Sequence, residues 1–181
     1  PDCVTKRLVI IGGGPGGNAA ATLAARMGAE VTMIEREIVG GAAHLLDCIP
    51  SKAMIATGGA MSATKRFAGM GIEQHDVEID VTSLSDRIGG IVGRMQQNTT
   101  RLLQSQGVNI LMGEASFTGP NEVLVTSGAG QTRVQGDAFV IATGSRPRIP
   151  DWVTPDGEHI LTTRDCYPPK VFPKSIVVVG S

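Results

Sequence analysis

The sequence predicts an α/β protein, a parallel sheet with helices and a small antiparallel β-meander insert. Three observations carry this. Residues 7–35 run from a β-branched stretch through a glycine-rich turn and an apolar-faced helix into a second β-branched stretch, and so short a βαβ connection implies parallel strands. From 108 to 135 the pattern shortens to strand-like runs broken by Gly, Pro and Asn. Glycine is abundant, at 24 residues, and aromatics make up only 3%, which suits tight loops and not an all-β sandwich.

The elements follow in order. Residues 7–11, Arg-Leu-Val-Ile-Ile, read as a short buried strand. Residues 12–17 are all glycine except Pro15. From Gly16 to Gly28 the positions of Ala19, Ala20, Leu23, Ala24 and Met27 give a helix with a small apolar face, and Gly28 stops it. Residues 30–35 form the second strand. A helix is expected over 48–68, with Pro50 in its first turn, where a missing N–H costs nothing. Gly58 and Gly59 weaken it by about 1 kcal/mol each relative to Ala. Residues 72–80 read as irregular. A second long helix is expected from Ser83 to Gln106, with Leu84, Ile88, Ile91, Met95 and Leu102 on one face; Gly89, Gly90 and Gly93 count against it. The runs 108–112, 114–118, 122–127 and 131–135, with turns at 119-GPNE-122 and 128-GAGQ-131, read together as the antiparallel meander. Residues 137–142 return to a buried strand that ends in 142-ATGSRP-147. The stretch from 147 to 173 holds six of the ten prolines and reads as a connector.

The run 176-IVVVGS-181 repeats the β-branched-then-Gly start at 8-LVIIGGGPGG-17, so it is expected to be the first strand of a second, truncated copy of the same unit. The expected organisation is a first domain over 1–150, a connector over 151–174 and the opening strand of another domain over 175–181.

Composition removes several function classes. A formal net charge of −1 leaves no electrostatic footprint for nucleic acid or a membrane surface. No apolar run of about 18 residues is present, and no basic start with an apolar h-region precedes the first strand. The three cysteines, Cys3, Cys48 and Cys166, are too sparse for a disulfide scaffold, which makes a reducing cytoplasm the expected compartment.

The chemistry begins at Gly12-x-Gly14-x-x-Gly17, placed between a strand and a helix within a βαβ unit. Gly12 makes the tight turn, Gly14 lets the backbone approach a pyrophosphate, and Gly17 lets helix and strand pack closely. The helix N-terminus offers N–H groups and a partial positive charge to phosphates. Glu35 closes the second strand 18 residues after Gly17, where an acid accepts from ribose hydroxyls and repels a 2′-phosphate. The pattern is a Rossmann-like fingerprint that fits FAD or NAD and disfavours NADP at this first site.

Four stretches, 9-VIIGGGPGG-17, 34-IEREIVGGAA-43, 48-CIPSK-52 and 140-VIATGSRP-147, make the chain resemble the FAD-binding part of the two-dinucleotide-domain flavoprotein disulfide reductases, the family of dihydrolipoamide dehydrogenase, glutathione reductase and mercuric reductase. The resemblance covers nearly the whole chain, in order. It implies an FAD-binding domain over 1–150 and a following NAD(P)-binding domain. It implies that FAD is contacted by Gly12, Gly14, Pro15, Gly16, Gly17, Glu35, Arg36, Gly41, Ala42, Lys52, Ala142, Thr143 and Gly144. By the same resemblance Gly113-Glu114-Ala115 matches the segment whose backbone meets the adenine, at Ala115. NADH or NADPH would donate hydride from a site outside this chain, and the complete protein would be a homodimer.

The sequence also departs from the family. After Gly40-Gly41 the family has Thr-Cys, four residues, then Cys, any residue and Pro-Ser-Lys. Here Ala42 stands for the Thr, Ala43 for the first redox cysteine and Asp47 for a Gly, while Cys48 and Lys52 remain. By the family's roles, the thiol beside the flavin survives and the interchange thiol is gone. A dithiol relay needs two sulfurs, and neither Cys3 nor Cys166 has redox-pair spacing. A helix start favours a thiolate at Cys48, while Asp47 opposes it. The resemblance brings Lys52, four residues on and so on the same helical face, to the flavin N5. Cys48 and Lys52 are therefore the candidate catalytic residues. His44 lacks any evident partner and reads as a surface residue; no metal site is expected.

A branch of the family without the first cysteine has the same Gly-Gly-Ala-Ala start and Asp-Cys before Pro-Ser-Lys, and is associated with NAD(P)H:quinone reduction. The expected function is thus an FAD-dependent NAD(P)H oxidoreductase passing electrons to a quinone-like small molecule. The alternatives are a dihydrolipoamide dehydrogenase-type disulfide reductase, against which Ala43 stands, and a non-catalytic FAD-binding module. The soluble transhydrogenases keep the first cysteine and lose the second, the reverse of this pattern.

Overall fold

The computed structural model describes residues 6–67, 70–72 and 76–180. It packs as two compact units, one of residues 1–46 and 92–146, the other of residues 47–91 and 147–181.

The first unit is built on a four-stranded parallel sheet. Strands β1 (Arg7–Ile11), β2 (Glu30–Glu35), β3 (Asn109–Met112) and β7 (Ala138–Ile141) take the order β3-β2-β1-β7. The register places Ile10 beside Met33 and Val140, and Met33 beside Ile110. Helix α1 (Pro15–Arg26) returns the chain from β1 to β2. It presents Gly17 and Ala21 as its buried residues, and side chains this small let a helix lie close on a sheet. Ile10, Ala21, Val31, Met33, Val39, Leu103 and Val108 form one core cluster. Full burial of a Val, Ile, Leu or Met side chain is worth roughly 1.5–3 kcal/mol, so this cluster is a main source of the unit's stability. Val9 and Ile34 join Val123 and Val125 in a second cluster, which seats the antiparallel sheet β4 (Glu114–Gly119), β5 (Glu122–Ser127) and β6 (Gly130–Gln135).

The run expected at 108–112 is not part of the meander. It is β3, paired in parallel with β2 from Thr32↔Asn109 to Glu35↔Met112. The long helix α3 (Val81–Ser105) precedes it, and a strand reached through a helical crossover enters a sheet in parallel. The meander has three strands, and Gly113 marks the change of sheet. Its N–H donates to the Glu35 carbonyl at 2.8 Å, and a Cβ there would lie 2.7 Å from a Val125 methyl.

Two helix readings also shift. The segment expected to start a helix at 48 begins earlier, as a π-helical turn over Ala43–Cys48. The α-helix proper, α2, covers Ile49–Lys65, and the expected end at 68 lies outside the described residues. In α3, Leu84 and Ile88 are buried as expected, but Leu103 is buried and Leu102 is 55% exposed. Five turns of 3.6 residues return from Leu84 to Leu102, so the period alone does not cause the shift; the two ends of α3 belong to different units, and Leu103 packs in the core cluster of the first.

In the second unit Asp80 caps α3. Its Oδ1 accepts from the N–H groups of Thr82 at 2.9 Å and Ser83 at 3.1 Å, and its Oδ2 accepts from the Ser83 hydroxyl. These bonds favour the carboxylate and lower its pKa. The proline-rich stretch after 147 contains turns and no helix or strand. One turn closes on Asp156, whose Oδ1 accepts from the N–H groups of Glu158, His159 and Ile160, each at 2.8 Å. Residues 176–180 are exposed and pair with no strand among the described residues. Among the described residues no helix is long and apolar enough to cross a membrane.

Candidate functional site

The glycine-rich turn sits at the C-terminal end of β1. Gly12 has φ +108, a conformation open to Gly, and its N–H donates to the Ile34 carbonyl at 2.8 Å. A Cβ on Gly12 would lie 2.2 Å from the Ala142 carbonyl oxygen, and the Ala142 N–H donates to Ile11 at 2.8 Å. The turn after β1 and the Ala142-Thr143-Gly144 turn after β7 therefore lie side by side. A Cβ on Gly17 would meet the Gly12 carbonyl oxygen at 1.9 Å. The Gly40-Gly41 pair closes the other flank. Gly40 donates to the Gly13 carbonyl at 2.8 Å, and a Cβ on Gly41 would lie 2.5 Å from the Gly14 Cα and 3.0 Å from Pro15 Cδ. Ala42 follows, partly buried. Residues separated by up to 130 positions thus form one cradle.

Helix α1 opens into it. Gly14 is the N-cap and makes no side-chain cap, Pro15 is the first helical residue, and no acid occupies the first turn. The first intrahelical bond of this turn runs from Asn18 N–H to the Gly14 carbonyl. The Gly16 and Gly17 N–H groups therefore have no carbonyl of their own helix to meet, and Gly16 is exposed with open space where a Cβ would be. Such a terminus is an anion site.

Glu35 braces the cradle as well as facing it. Its Oε2 accepts from Gly13 N–H at 2.6 Å, and its Oε1 accepts from Glu37 N–H at 2.6 Å and Ile38 N–H at 3.3 Å. The carboxylate keeps further lone pairs for hydroxyl donors. Gly13, absent from the residues expected to hold the cofactor, is buried and has Glu35 Oε2 at 3.1 Å from the position of a Cβ. A buried glycine inside a row of glycines gives no separate signal.

Beside Glu35 a cavity of about 420 Å³ is lined by Arg36, Met112, Gly113, Glu114, Thr126, Ser127 and Gly128. Arg36 Nη1 donates to Glu114 Oε1 at 3.3 Å. Ala115, named from the sequence, does not line it; it pairs with Val125 and packs its methyl against the second core cluster. The lining residues from that segment are Gly113 and Glu114, and the Arg36–Glu114 pair carries no signal in the sequence because it links the residue just after β2 to the first residue of β4, 78 positions on.

Cys48 and Lys52 belong to the second unit. Cys48 has αR backbone angles and caps α2 without a side-chain bond; Ser51 Oγ donates to its carbonyl at 3.1 Å. Pro50 is buried, while Cys48 and Lys52 are exposed, so the thiol is not a packed core filler. Asp47, partly buried, has its Oδ2 3.9 Å from Arg164 Nε, so the acid beside the thiol faces a cation from the proline-rich stretch. His44 is exposed. Cys48 and Cys166 are free thiols, and Cys3 lies outside the described residues. Among the described residues no cluster of His, Cys, Asp and Glu is arranged to hold a metal.

A family model for pyridine nucleotide-disulphide oxidoreductases matches residues 6–181. Among curated proteins, dihydrolipoyl dehydrogenase 2 of Haloarcula marismortui is 33% identical over 96% of this chain and 37% of its own length. NAD(P)H dehydrogenase (quinone) of Mycobacterium tuberculosis is 35% identical over 98% of this chain and 38% of its own. The chain thus spans little more than a third of the length of these relatives. The crystal structure of LpdA from Mycobacterium tuberculosis matches with a TM-score of 0.79 at 33% identity, over 90% of this chain and 37% of that one. RclA from Escherichia coli shares the fold, with a TM-score of 0.65 at 21% identity. The family and these dehydrogenases use FAD and NAD(P)H. A cradle of backbone amides at a helix start, an acid at the end of the second strand and a match from residue 6 onward agree: the chain belongs to the pyridine nucleotide-disulphide oxidoreductase family.

Proposed function

We propose that this chain is the FAD-binding part of an NAD(P)H oxidoreductase that passes hydride from nicotinamide to flavin and on to a quinone-like acceptor without a dithiol relay. The observation that carries this is the π turn Ala43–Cys48. It has a thiol at one end and a methyl at the other, where the family resemblance puts a redox pair. Thiol–disulfide exchange through a pair needs both sulfurs.

The residues fit the cofactor. Gly12, Gly14, Pro15, Gly16 and Gly17 would hold the pyrophosphate at a helix start that has free N–H groups and no competing acid. Glu35 would accept from the ribose, Arg36 would face the adenosine end, and Gly41, Ala42, Ala142, Thr143 and Gly144 would complete the cradle. When bound, FAD would supply a ring that accepts and releases hydride. Lys52 would hold a positive charge toward the reduced ring, and Cys48 would offer a thiol to it without exchanging disulfides. In this reading residues 151–174 connect to an NAD(P)-binding domain that begins at 175, and the working form is a cytoplasmic homodimer. The quinone-like acceptor rests on the likeness to the Mycobacterium tuberculosis protein whose name carries that activity.

Relatives named dihydrolipoyl dehydrogenase favour a second reading, a disulfide reductase. One assay separates the two. The complete protein is purified, its flavin is read by absorbance, and NADH and NADPH oxidation is followed with a quinone and with lipoamide. Quinone turnover without lipoamide turnover is the expected result. Rapid lipoamide reduction would reject the proposal, and absence of flavin would reject the cofactor assignment.

A further inference from the structure

We infer that Glu114 sets the nucleotide preference of the first dinucleotide site by occupying Arg36, so that the site refuses a 2′-phosphorylated ribose despite an arginine beside it. The inference rests on the FAD-site reading above and deepens it.

The sequence poses the difficulty. Glu35 favours a ribose with free hydroxyls, but the next residue is an arginine, the residue type that accommodates a 2′-phosphate in sites of this architecture. A free guanidinium there would offset the repulsion that Glu35 exerts. In the fold Arg36 is not free: its Nη1 donates to Glu114 Oε1 at 3.3 Å. Both side chains line the same cavity, whose floor at Gly113 is hydrogen-bonded to the Glu35 carbonyl. Glu114 stands one residue beyond that bond, at the first position of β4, where its side chain reaches Arg36. Within the cavity Glu114 offsets the charge of Arg36, and the Glu35 carboxylate, held outside it by the Gly13, Glu37 and Ile38 N–H groups, adds a negative charge on the neighbouring residue. A phosphate dianion reaching Arg36 would have to displace the Glu114 carboxylate from the guanidinium. A ribose hydroxyl only donates a hydrogen bond to a carboxylate and meets no such opposition. Glu114 is in this sense a positioning residue, acting through Arg36.

The test uses the complete protein after flavin removal. Binding of 5′-ADP and of 2′,5′-ADP is measured by competition against FAD, and the quantity read is the ratio of the two dissociation constants. The wild-type protein is expected to prefer 5′-ADP. In Glu114→Gln, which keeps the side-chain shape, the preference is expected to fall about fivefold, the scale of one exposed charge interaction. In Arg36→Ala/Glu114→Gln the wild-type preference is expected to return, because no cation is left to release. An unchanged ratio in Glu114→Gln would overturn the inference. So would a fall that persists in the double variant, since Glu114 would then act by its own charge. If the wild-type protein binds neither FAD nor 5′-ADP, the site reading itself is wrong, and that result is distinct from a changed or unchanged ratio. Both residues are at least half exposed, so folding is expected to be intact, and a far-UV spectrum of each variant checks it.

Discussion

Two glycine-rich regions of this chain look alike in sequence and differ in what fixes them. At Gly12 and Gly17 of the first turn and at its partner Gly41, a single added carbon meets backbone: 2.2 Å at Gly12, 1.9 Å at Gly17 and 2.5 Å at Gly41. In helices α2 and α3, a carbon added at Gly58, Gly59, Gly89 or Gly93 meets nothing within 4 Å. The first set holds chain segments in contact and leaves N–H groups facing outward. The second set leaves helical backbone exposed and lowers helix stability. The number of glycines therefore says little about a site; the space around each one separates a cradle from a weak helix.

The largest expected effect breaks the cradle. Gly12→Ala drives a methyl into the Ala142 carbonyl and imposes φ +108 on an alanine. Positive-φ strain and overpacking each cost about 1–3 kcal/mol, so the loss is expected to be on the order of 3 kcal/mol, read as a lower urea midpoint. Gly16→Ala is its control. No atom stands near the added methyl, so stability should change by less than about 0.5 kcal/mol, while FAD affinity falls because the methyl enters the space beside the free N–H groups. Equal stability losses in the two variants would remove the distinction between packing and ligand approach.

The next prediction concerns the π turn. A π-helix bonds each residue to the one five positions on, the spacing that separates Ala43 from Cys48. An α-helix returns every 3.6 residues and would place position 48 well round from position 43. Ala43→Cys is therefore expected to form a disulfide with Cys48 under mild oxidation, read as a mass loss of two hydrogens and two fewer titratable thiols than in the reduced protein. On the proposed function it should also introduce lipoamide reduction that the parent is expected to lack. A variant that keeps both thiols free under oxidant would mean that this turn does not hold the two positions in bonding geometry.

Legibility followed the range of the interactions. The βαβ start was readable because strand, turn and helix are contiguous and each has its own period: Leu8 to Ile11, Gly12 to Gly17, and Ala20 to Ala24. The parallel placement of β3 was not, because four apolar residues followed by a hairpin look like the first strand of a meander. Only the helix before them decides the direction. The π turn was missed for a related reason, since periodicity assigns helix without distinguishing how the bonds close. The Glu35 contacts with Gly13, Glu37 and Ile38 and the Arg36–Glu114 pair were out of reach, because they depend on where a side chain ends after the backbone has been placed.

The second glycine set supplies a smaller effect of opposite sign. Gly58 and Gly59 are exposed within α2, and alanine is favoured over glycine in a helix interior by about 1 kcal/mol. Gly58→Ala is expected to stabilise by roughly that amount in urea unfolding. A destabilised variant would mean that another surface lies against this face in the complete protein, and Gly58 would then move to the group of glycines that hold a close approach.

The smallest expected effect lies at the N-terminal end of the sheet, where charge and not an absent Cβ sets position. Arg7 Nη2 donates to Asp137 Oδ1 at 2.9 Å, and the Arg7 N–H donates to Asp137 Oδ2 at 2.9 Å. The Asp137 N–H returns a bond to the Arg7 carbonyl, also at 2.9 Å, so β1 and β7 are joined just before their first pairing. The Arg7 side-chain and backbone bonds lower the Asp137 pKa to about 2. A carboxyl depressed in the folded state contributes stability above its unfolded pKa of about 3.9, and that contribution disappears as pH falls through the folded value. Asp137→Asn should therefore be less stable than the wild-type protein at neutral pH, with the gap closing between about pH 4 and pH 2. Asp80, Glu122, Asp156 and Asp165 are shifted in the same direction, so the difference between variant and wild type isolates this pair. Because the pair is open to solvent, the gap should also shrink in high salt. The Gly12→Ala loss, set by contact between atoms, should be nearly indifferent to both pH and salt.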